Sequence, residues 1–158
     1  MEVTLGTRTE ETAALYFQRA NTPEIKKYLP QRAATLEEFL ADFRASQAPG
    51  AASYGRTIWL DGEYAGDVWC YCITPGEVPG AMVSYCLFQA ERRGRGVASR
   101  ALALFLAEIG PRFGSDSVGA FTFADNLPSI RVLEKNGFCM MEEFEEDGRL
   151  SRYYEKKL

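Results

Sequence analysis

The sequence contains no histidine among its 158 residues. Histidine is the side chain that most often acts as a general base near neutral pH, and triads of the Ser-His-Asp type are built around it. It is also a common protein ligand of zinc. Catalysis by a histidine base or by a histidine-containing triad is therefore excluded, and a metal site would lack its usual nitrogen ligand.

Cysteine is scarce, with Cys70, Cys72, Cys86 and Cys139 as the four thiols. Strand alternation predicts that Cys70 and Cys72, within "GDVWCYC", lie on one face of a strand. A metal site of cysteines would need CxxC spacing and further ligands, neither of which the sequence offers. We therefore predict small buried thiols and no metal.

Long hydrophobic runs are also missing. The longest strongly apolar stretch, Ala101–Ile109, is far short of the roughly 20 residues of a membrane span. Near the amino end, Glu2, Arg8, Glu10 and Glu11 interrupt any signal-peptide pattern. The chain is therefore expected to be cytosolic, with no membrane partner.

Positive charge is not in excess, because the formal net charge is −4. A general nucleic-acid surface is therefore disfavoured. The length and an ordinary hydrophobic content of 46% fit one compact domain over residues 1–158.

The pattern of the first half of the chain predicts a strand, then helices, and then strands of alternating polarity. Val3–Leu5 is predicted to be a strand, and Thr9 is predicted to cap the helix that follows it. Thr35 with Glu38 three residues later has the capping-box pattern of a later helix. Asp61-Gly62, between two aromatic and β-branched runs, predicts a hairpin.

The second half alternates between strands and helices. A buried helix is predicted from Val97 to Ile109, ended by Gly110-Pro111, and a short helix is predicted to end at Asn136-Gly137. The segment Met82–Phe123 forms a strand–helix–strand crossover, which requires a parallel pair. The fold class is therefore α/β (α+β), a mixed sheet covered by helices.

The stretch "ERRGRGVAS", residues 91–99, concentrates arginine and glycine where a strand meets the buried helix. A helix N-terminus has N–H groups without partners and a positive dipole end, and Gly94 and Gly96 let an anion approach the backbone. Arg92, Arg93 and Arg95 add positive charge. These features suit a phosphate or pyrophosphate, whereas the plain alternative is a tight turn with solvated arginines. The phosphate loop GxxxxGK[ST] is absent, and GxGxxG fails because Ser99 stands three residues after Gly96.

Two motifs together resemble the GNAT superfamily of acyl-CoA-dependent N-acyltransferases. The family's pyrophosphate loop, Q/R-x-x-G-x-G/A, is similar to residues 91–96, although Glu91 replaces the usual Gln or Arg. The second signature, N-x-x-S followed by K-x-G-F, is matched at Asn126, Ser129 and residues 135–138. The resemblance covers nearly the whole chain, and it is greatest to ribosomal-protein N-terminal and small-amine acetyltransferases. It implies a GNAT-like mixed, mostly antiparallel sheet with a central parallel crossover, flanked by helices.

The resemblance implies that acetyl-CoA is held largely by backbone amides. Strand residues Cys86, Leu87 and Phe88 would pair with the pantetheine arm, and Asn126 would bond that arm near its thiol end. The pyrophosphate would be bound by loop and helix N–H groups of Arg92, Arg93, Gly94, Arg95, Gly96, Val97, Ala98 and Ser99. A bulged strand near Leu87 would supply an N–H for the thioester oxyanion.

Two departures from the family concern catalysis. Met82 stands where many members of this branch carry Glu, and Leu133 stands where several carry the tyrosine thought to protonate the leaving thiolate. Ser129 is the first choice as that acid, although a serine in the first helical turn often only caps the helix. Tyr85 is a second candidate, with core packing as its plain alternative. Glu63 and Asp67 are weighed as carboxylate bases, and neither is assigned.

The acceptor groove in this fold would be lined by residues 71–81 together with Pro23–Arg44. Five residues in or near this groove suit a cationic amine, namely Glu24, Glu77, Tyr28, Trp59 and Trp69. Each of them also fits an ordinary role on the surface or in the core.

The function predicted from these residues is acetyl transfer from acetyl-CoA to a primary amine by direct attack in a ternary complex. The amine is either a protein N-terminus or a small molecule, no nucleic acid takes part, and a homodimer is left open. One alternative is a catalytically decayed acyl-CoA-binding domain, and another is a nucleotide-binding regulatory module.

Overall fold

The structure is a computed structural model that describes residues 1–89 and 96–158. Its elements in chain order are β1 (Val3–Thr7), α1 (Glu10–Ala20), α2 (Pro23–Tyr28), α3 (Leu36–Ser46), β2 (Tyr54–Leu60), β3 (Glu63–Tyr71), β4 (Met82–Leu87), α4 (Val97–Phe113), β5 (Ser117–Phe123), α5 (Leu127–Lys135), β6 (Cys139–Glu146) and β7 (Arg149–Lys157).

The strands form one mixed sheet in the order β1-β2-β3-β4-β5-β7-β6. Neighbouring strands are antiparallel throughout, except that β4 and β5 run parallel, joined through α4. This arrangement confirms the predicted mostly antiparallel sheet with one central parallel crossover.

The first three helices begin in the same way, at a threonine whose hydroxyl accepts a backbone N–H three residues later. Thr9, Thr22 and Thr35 are these caps, and a glutamate lies in the first turn of each helix. The carboxylates suit the positive end of the helix dipole. The caps predicted at Thr9 and Thr35 are confirmed, but the predicted capping box at Thr35 is incomplete, because the Glu38 carboxylate accepts the Ala34 N–H instead of the Thr35 N–H.

Helices cover both faces of the sheet. On the back face, α4 and α5 bury Leu102, Phe105 and Leu133 against strand residues such as Val68 and Val118. On the opposite, front face, α1 and α2 bury Tyr16, Ala20 and Ile25 against Cys86 of β4. Alternation along the strands decides which side chains reach which face.

Helix α4 is one turn longer than predicted, because it continues through Pro111 to Phe113. Pro111 lacks the N–H that would bond to the Ala107 carbonyl, but the added turn carries Phe113, which packs against the core and against the Tyr54 ring. The helix ends instead at Gly114, which takes the left-handed conformation at φ +62°. Ser115 then donates its N–H to the Gly110 carbonyl.

The prediction of buried thiols holds for Cys70 and Cys86 and is wrong for Cys72 and Cys139, which are exposed. Strand β3 ends at Tyr71, and Cys72 has φ +51°, so it no longer follows the alternation of the strand. Burial raises the pKa of the Cys70 thiol to about 12. Cys70 is therefore an unreactive thiol near neutral pH.

Across residues 1–89 and 96–158, the structure contains no helix with the length and apolarity that crossing a bilayer requires.

Candidate active site

A V-shaped opening separates β4 from β5. The two strands are bridged at Met82↔Gly119, and Gly119 donates its N–H to the Ala81 carbonyl. Within the described part of the chain, no further strand pairing joins β4 and β5 beyond this bridge. An extended ligand arm could therefore hydrogen-bond between the two strands as an added strand would.

The backbone of β4 shows which residues face this opening. Phe88 donates its N–H to the Ala65 carbonyl of β3, and strand alternation turns the backbone of Cys86 to the same side. The backbone groups of Tyr85 and Leu87 therefore point toward β5. Of the predicted pantetheine contacts Cys86, Leu87 and Phe88, the geometry favours Leu87, and it adds Tyr85.

The bulge expected near Leu87 is not in β4. The β3–β4 register runs without a shift from Gly66↔Leu87 to Tyr71↔Met82. The irregularity lies instead between β2 and β3, where the register shifts between Ile58 and Trp59. The predicted bulge is therefore wrong for the described strand β4, whereas the Leu87 N–H as a donor to the thioester oxyanion stays a prediction.

Helix α4 begins without a side-chain cap. Its N-cap is Gly96 at φ +81°, and among the described residues no side chain caps the helix and no acid lies in its first turn. The first intrahelical bond is donated by Arg100 to the Gly96 carbonyl. The N–H groups of Val97, Ala98 and Ser99 consequently have no helical partner, which suits an anion.

The side chains of this first turn are mostly turned away from solvent. Val97 is buried in the core, and Ala98 packs against it. Ser99 accepts hydrogen bonds from the Asn136 side-chain amide at 3.2 Å, both at its hydroxyl and at its carbonyl oxygen. These contacts tie α4 to α5 and leave the backbone as the part of Val97–Ser99 that a ligand can reach.

Four predicted loop contacts lie outside the described residues, namely Arg92, Arg93, Gly94 and Arg95. Glu91 lies outside them as well. They stay predictions.

The second uncapped helix is α5. Asn126 is its N-cap residue, and its side chain makes no cap bond, while no acid lies in the first turn among the described residues. The Asn126 N–H donates to the Phe123 carbonyl at 3.0 Å. The helix N-terminus predicted to bind the pyrophosphate and the helix that begins at Asn126 thus both lack the threonine and glutamate that α1–α3 carry.

Ser129 does not cap α5, because its hydroxyl is paired with Tyr85. The Tyr85 Oη and Ser129 Oγ atoms are 2.8 Å apart, and either can donate. Tyr85 also lies 3.2 Å from the Ser129 carbonyl oxygen. Burial raises the pKa of the Tyr85 phenol, and the hydrogen bond to Ser129 opposes that shift in part. The structure therefore brings together both hydroxyls that were weighed as the acid.

Asp67, one of the two carboxylates weighed as a base, is buried in an ion pair. Arg8 Nε donates to Asp67 Oδ2 at 3.0 Å, and Tyr64 Oη donates to Oδ1 at 2.6 Å. Burial raises the pKa of Asp67, while Arg8 opposes the shift. With both oxygens engaged, Asp67 is a structural group, and Glu63 lies exposed at the start of β3.

Two residues of β7 that the sequence analysis did not single out, Tyr153 and Glu155, lie at the vertex of the opening. In the β5–β7 register, Glu155 is opposite Gly119 and Tyr153 is opposite Phe121. Alternation in "RYYEKK" does place Tyr153 and Glu155 on one face. Their position beside β5 depends on a long-range pairing that this pattern does not reveal.

The family model described as acetyltransferase (GNAT) domain matches residues 3–139. No curated protein matches the chain.

Solved structures share its fold over nearly its whole length. RimJ from Mycobacterium smegmatis, in complex with CoA-disulfide, is 23% identical with a TM-score of 0.83, covering 98% of this chain and 81% of its own. RimL, a ribosomal alpha-N-protein acetyltransferase in complex with coenzyme A, is 20% identical with a TM-score of 0.83, covering 99% and 94%. Aminoglycoside acetyltransferase AAC(6')-Ib in complex with coenzyme A is 19% identical with a TM-score of 0.81, covering 99% and 95%.

Proposed function

Because this chain belongs to the acetyltransferase (GNAT) family, we propose that it transfers an acetyl group from acetyl-CoA to a primary amine by direct attack in a ternary complex. The observation that carries the proposal is the opening between β4 and β5, which leads to two uncapped helix N-termini. The acceptor is a protein N-terminus or a small-molecule amine. The neighbours support both classes, since RimL is named for alpha-N-protein and AAC(6')-Ib for aminoglycoside acetylation.

The residues present fit acetyl-CoA as co-substrate. The N–H groups of Val97, Ala98 and Ser99 would bind its pyrophosphate, together with the proposed contacts of Arg92, Arg93, Gly94, Arg95 and Gly96. The backbone of Tyr85 and Leu87 would pair with the pantetheine arm, with Cys86 and Phe88 shaping that wall, and the Asn126 amide would bond the arm near its thiol end. Acetyl-CoA supplies an activated thioester, so positioning can provide much of the acceleration.

In the proposed reaction, the acceptor amine loses a proton to solvent, and its nitrogen attacks the acetyl carbonyl carbon. The C–N bond forms as the C–S bond breaks, and the nitrogen gives up a second proton to solvent as the amide forms. Ser129, hydrogen-bonded to Tyr85, gives its proton to the departing sulfur and recovers one from solvent through the Tyr85 hydroxyl. A thiolate with a pKa near ~8.5 is already a fair leaving group, so this acid contributes modestly.

Replacing Ala98 by glutamate tests the anion site. A carboxylate in the first turn of α4 suits the helix dipole, but Ala98 is half-buried against the core, so the longer side chain should cost the free protein some stability, as it should in the Ala98→Gln control. The same carboxylate repels a pyrophosphate, so coenzyme A affinity should fall about 30-fold or more, roughly 2 kcal/mol. Calorimetric titration with coenzyme A and a thermal melt of the free protein give the two quantities.

Ala98→Gln is the matched control, because it adds the same bulk without charge and should bind coenzyme A far more tightly than Ala98→Glu. Equal affinities in the two variants would contradict the site at α4. Stabilisation of the wild type by ATP or NAD but not by coenzyme A would favour the nucleotide-binding module. Coenzyme A binding without thiol release across a broad amine panel would favour the decayed domain.

Ser129→Ala should lower kcat about tenfold while leaving the acetyl-CoA KM unchanged, because a positioned acid acts only in the transition state. Tyr85→Phe should have a similar effect, and the double variant should be no worse than the poorer single one, since the two hydroxyls act as a unit. Steady-state thiol release measures all three. A purely structural Ser129 would change the melting temperature and spare kcat.

A further inference from the structure

Tyr153 lies directly across the vertex of the β4–β5 opening on the front face of the sheet. A methyl group built on Gly119 would come within 2.8 Å of the Tyr153 ring and hydroxyl and within 2.9 Å of Met82 Sδ. The glycine at 119 therefore leaves space for this ring. The ring consequently sits where the two strands of the proposed acetyl-CoA site meet.

The Tyr153 hydroxyl fixes the direction of a carboxylate. Tyr153 Oη donates to Glu155 Oε2 at 2.5 Å. Burial and the adjoining carboxylate both raise the pKa of the phenol, which keeps it a donor. This hydrogen bond engages Oε2, which is one of the two oxygens of the Glu155 carboxylate, and Oε1 is the other.

Aromatic surface adjoins the pair. Phe121 is 56% exposed, and its ring centroid lies 5.1 Å from that of Tyr153 and 6.0 Å from that of Phe144. The helices α1–α3 cover the front face around Cys86 of β4, and they leave the Phe121 side chain exposed. An exposed aromatic face beside an oriented carboxylate suits a cation on an apolar stem, through charge-assisted hydrogen bonding and cation–π attraction.

We propose that Glu155, oriented by Tyr153, binds the primary ammonium group of the acceptor at the vertex, and that Phe121 and Phe144 contact its apolar stem. This inference rests on the proposed acetyl transfer and gives alkylamines that are cationic at neutral pH a lower KM than amines that are uncharged there. Glu155 binds the charged form of the acceptor, whose proton then passes to solvent before attack. Glu155 is therefore a specificity-determining residue, and Tyr153 is a positioning residue.

The test compares two kinds of acceptor in the full chain, a primary alkylamine and an arylamine that is uncharged at pH 7. Glu155→Gln should raise the alkylamine KM about tenfold to a hundredfold with a much smaller change in kcat, because one charge-assisted bond is lost. The arylamine and acetyl-CoA constants should stay near wild type. Tyr153→Phe should move the alkylamine KM in the same direction by a smaller factor.

Glu143→Gln is the matched control, since Glu143 lies on the same hairpin, is directed to the back face and pairs with Arg152 at 2.8 Å. Glu155→Gln behaving like Glu143→Gln on the alkylamine would overturn the proposal. An equal loss on both kinds of acceptor would overturn it as well, since the effect would not depend on charge. A wild type that acetylates no amine at all would instead contradict the proposed function itself.

Discussion

Replacing Asp67 by asparagine is expected to lower the free energy of unfolding by about 3–5 kcal/mol. The Asp67 side chain is only 4% exposed, and it accepts hydrogen bonds from Arg8 and Tyr64 on its two oxygens. Asparagine is nearly isosteric, but it leaves the Arg8 guanidinium, itself 18% exposed, without its counter-charge. Urea denaturation of the two proteins at one pH measures the difference.

The exposed pair of Glu10 and Arg44 provides the control for this experiment. Both side chains are more than half exposed, at 58% and 60%, so Glu10→Gln should change the stability little. Replacing both buried partners together, as Arg8→Met with Asp67→Leu, should recover much of the loss, because no lone charge then remains buried. A cost for Asp67→Asn no larger than that for Glu10→Gln would refute the role assigned to this ion pair.

Gly66→Ala is expected to destabilise the chain by about 3 kcal/mol, because there is no room for a side chain at this position. A methyl group on Gly66 would lie 1.9 Å from the Cys86 carbonyl oxygen and 3.1 Å from the Leu87 Cα. These are backbone atoms of the paired strand, so they can give way only if β3 and β4 separate. Because the same segment of β4 forms one wall of the proposed acetyl-CoA site, coenzyme A affinity should fall as well.

Gly110→Ala is the matched control within α4. Its added methyl group would meet its nearest neighbour, a Leu158 side-chain atom, at an ordinary 3.5 Å. Alanine favours a helix over glycine by about 0.5–1 kcal/mol, so this variant should be slightly stabilised. If both alanine variants unfold at the same denaturant concentration as the wild type, the claim that a side chain at position 66 does not fit between β3 and β4 is wrong.

Features that depend on a few adjacent residues were predictable from the sequence. The threonine caps at Thr9 and Thr35 need only a hydroxyl and an N–H three residues away, and the structure has both. The turn at Asp61-Gly62 needs two residues that tolerate positive φ, and it joins β2 to β3. The helix stop at Gly137 is local too, since Phe138 donates its N–H to the Leu133 carbonyl.

Features that depend on distant residues were not predictable in this way. Helix α4 continues through Pro111 to Phe113, whose ring packs against Tyr54 of β2, although Gly110-Pro111 has the composition of a helix end. The pairing of β5 with β7 sets Tyr153 beside the vertex, and no short pattern near residue 153 reports it. Ser129 and Tyr85 were each weighed as acids, but their contact joins residues 44 positions apart and needs the fold.

The opening between β4 and β5 also affects how the chain avoids aggregation with other chains. A sheet usually has two edges, whereas this divergence creates two further stretches of strand edge inside the molecule. Exposed strand edges invite pairing with foreign strands and hence aggregation. Here the gap narrows to a bridge at Met82↔Gly119, α5 contacts Tyr85 on the back face, and Tyr28 of α2 packs near Phe123 on the front face. The fold thereby keeps an internal edge suited to a slender extended ligand arm while denying it to a full β-strand.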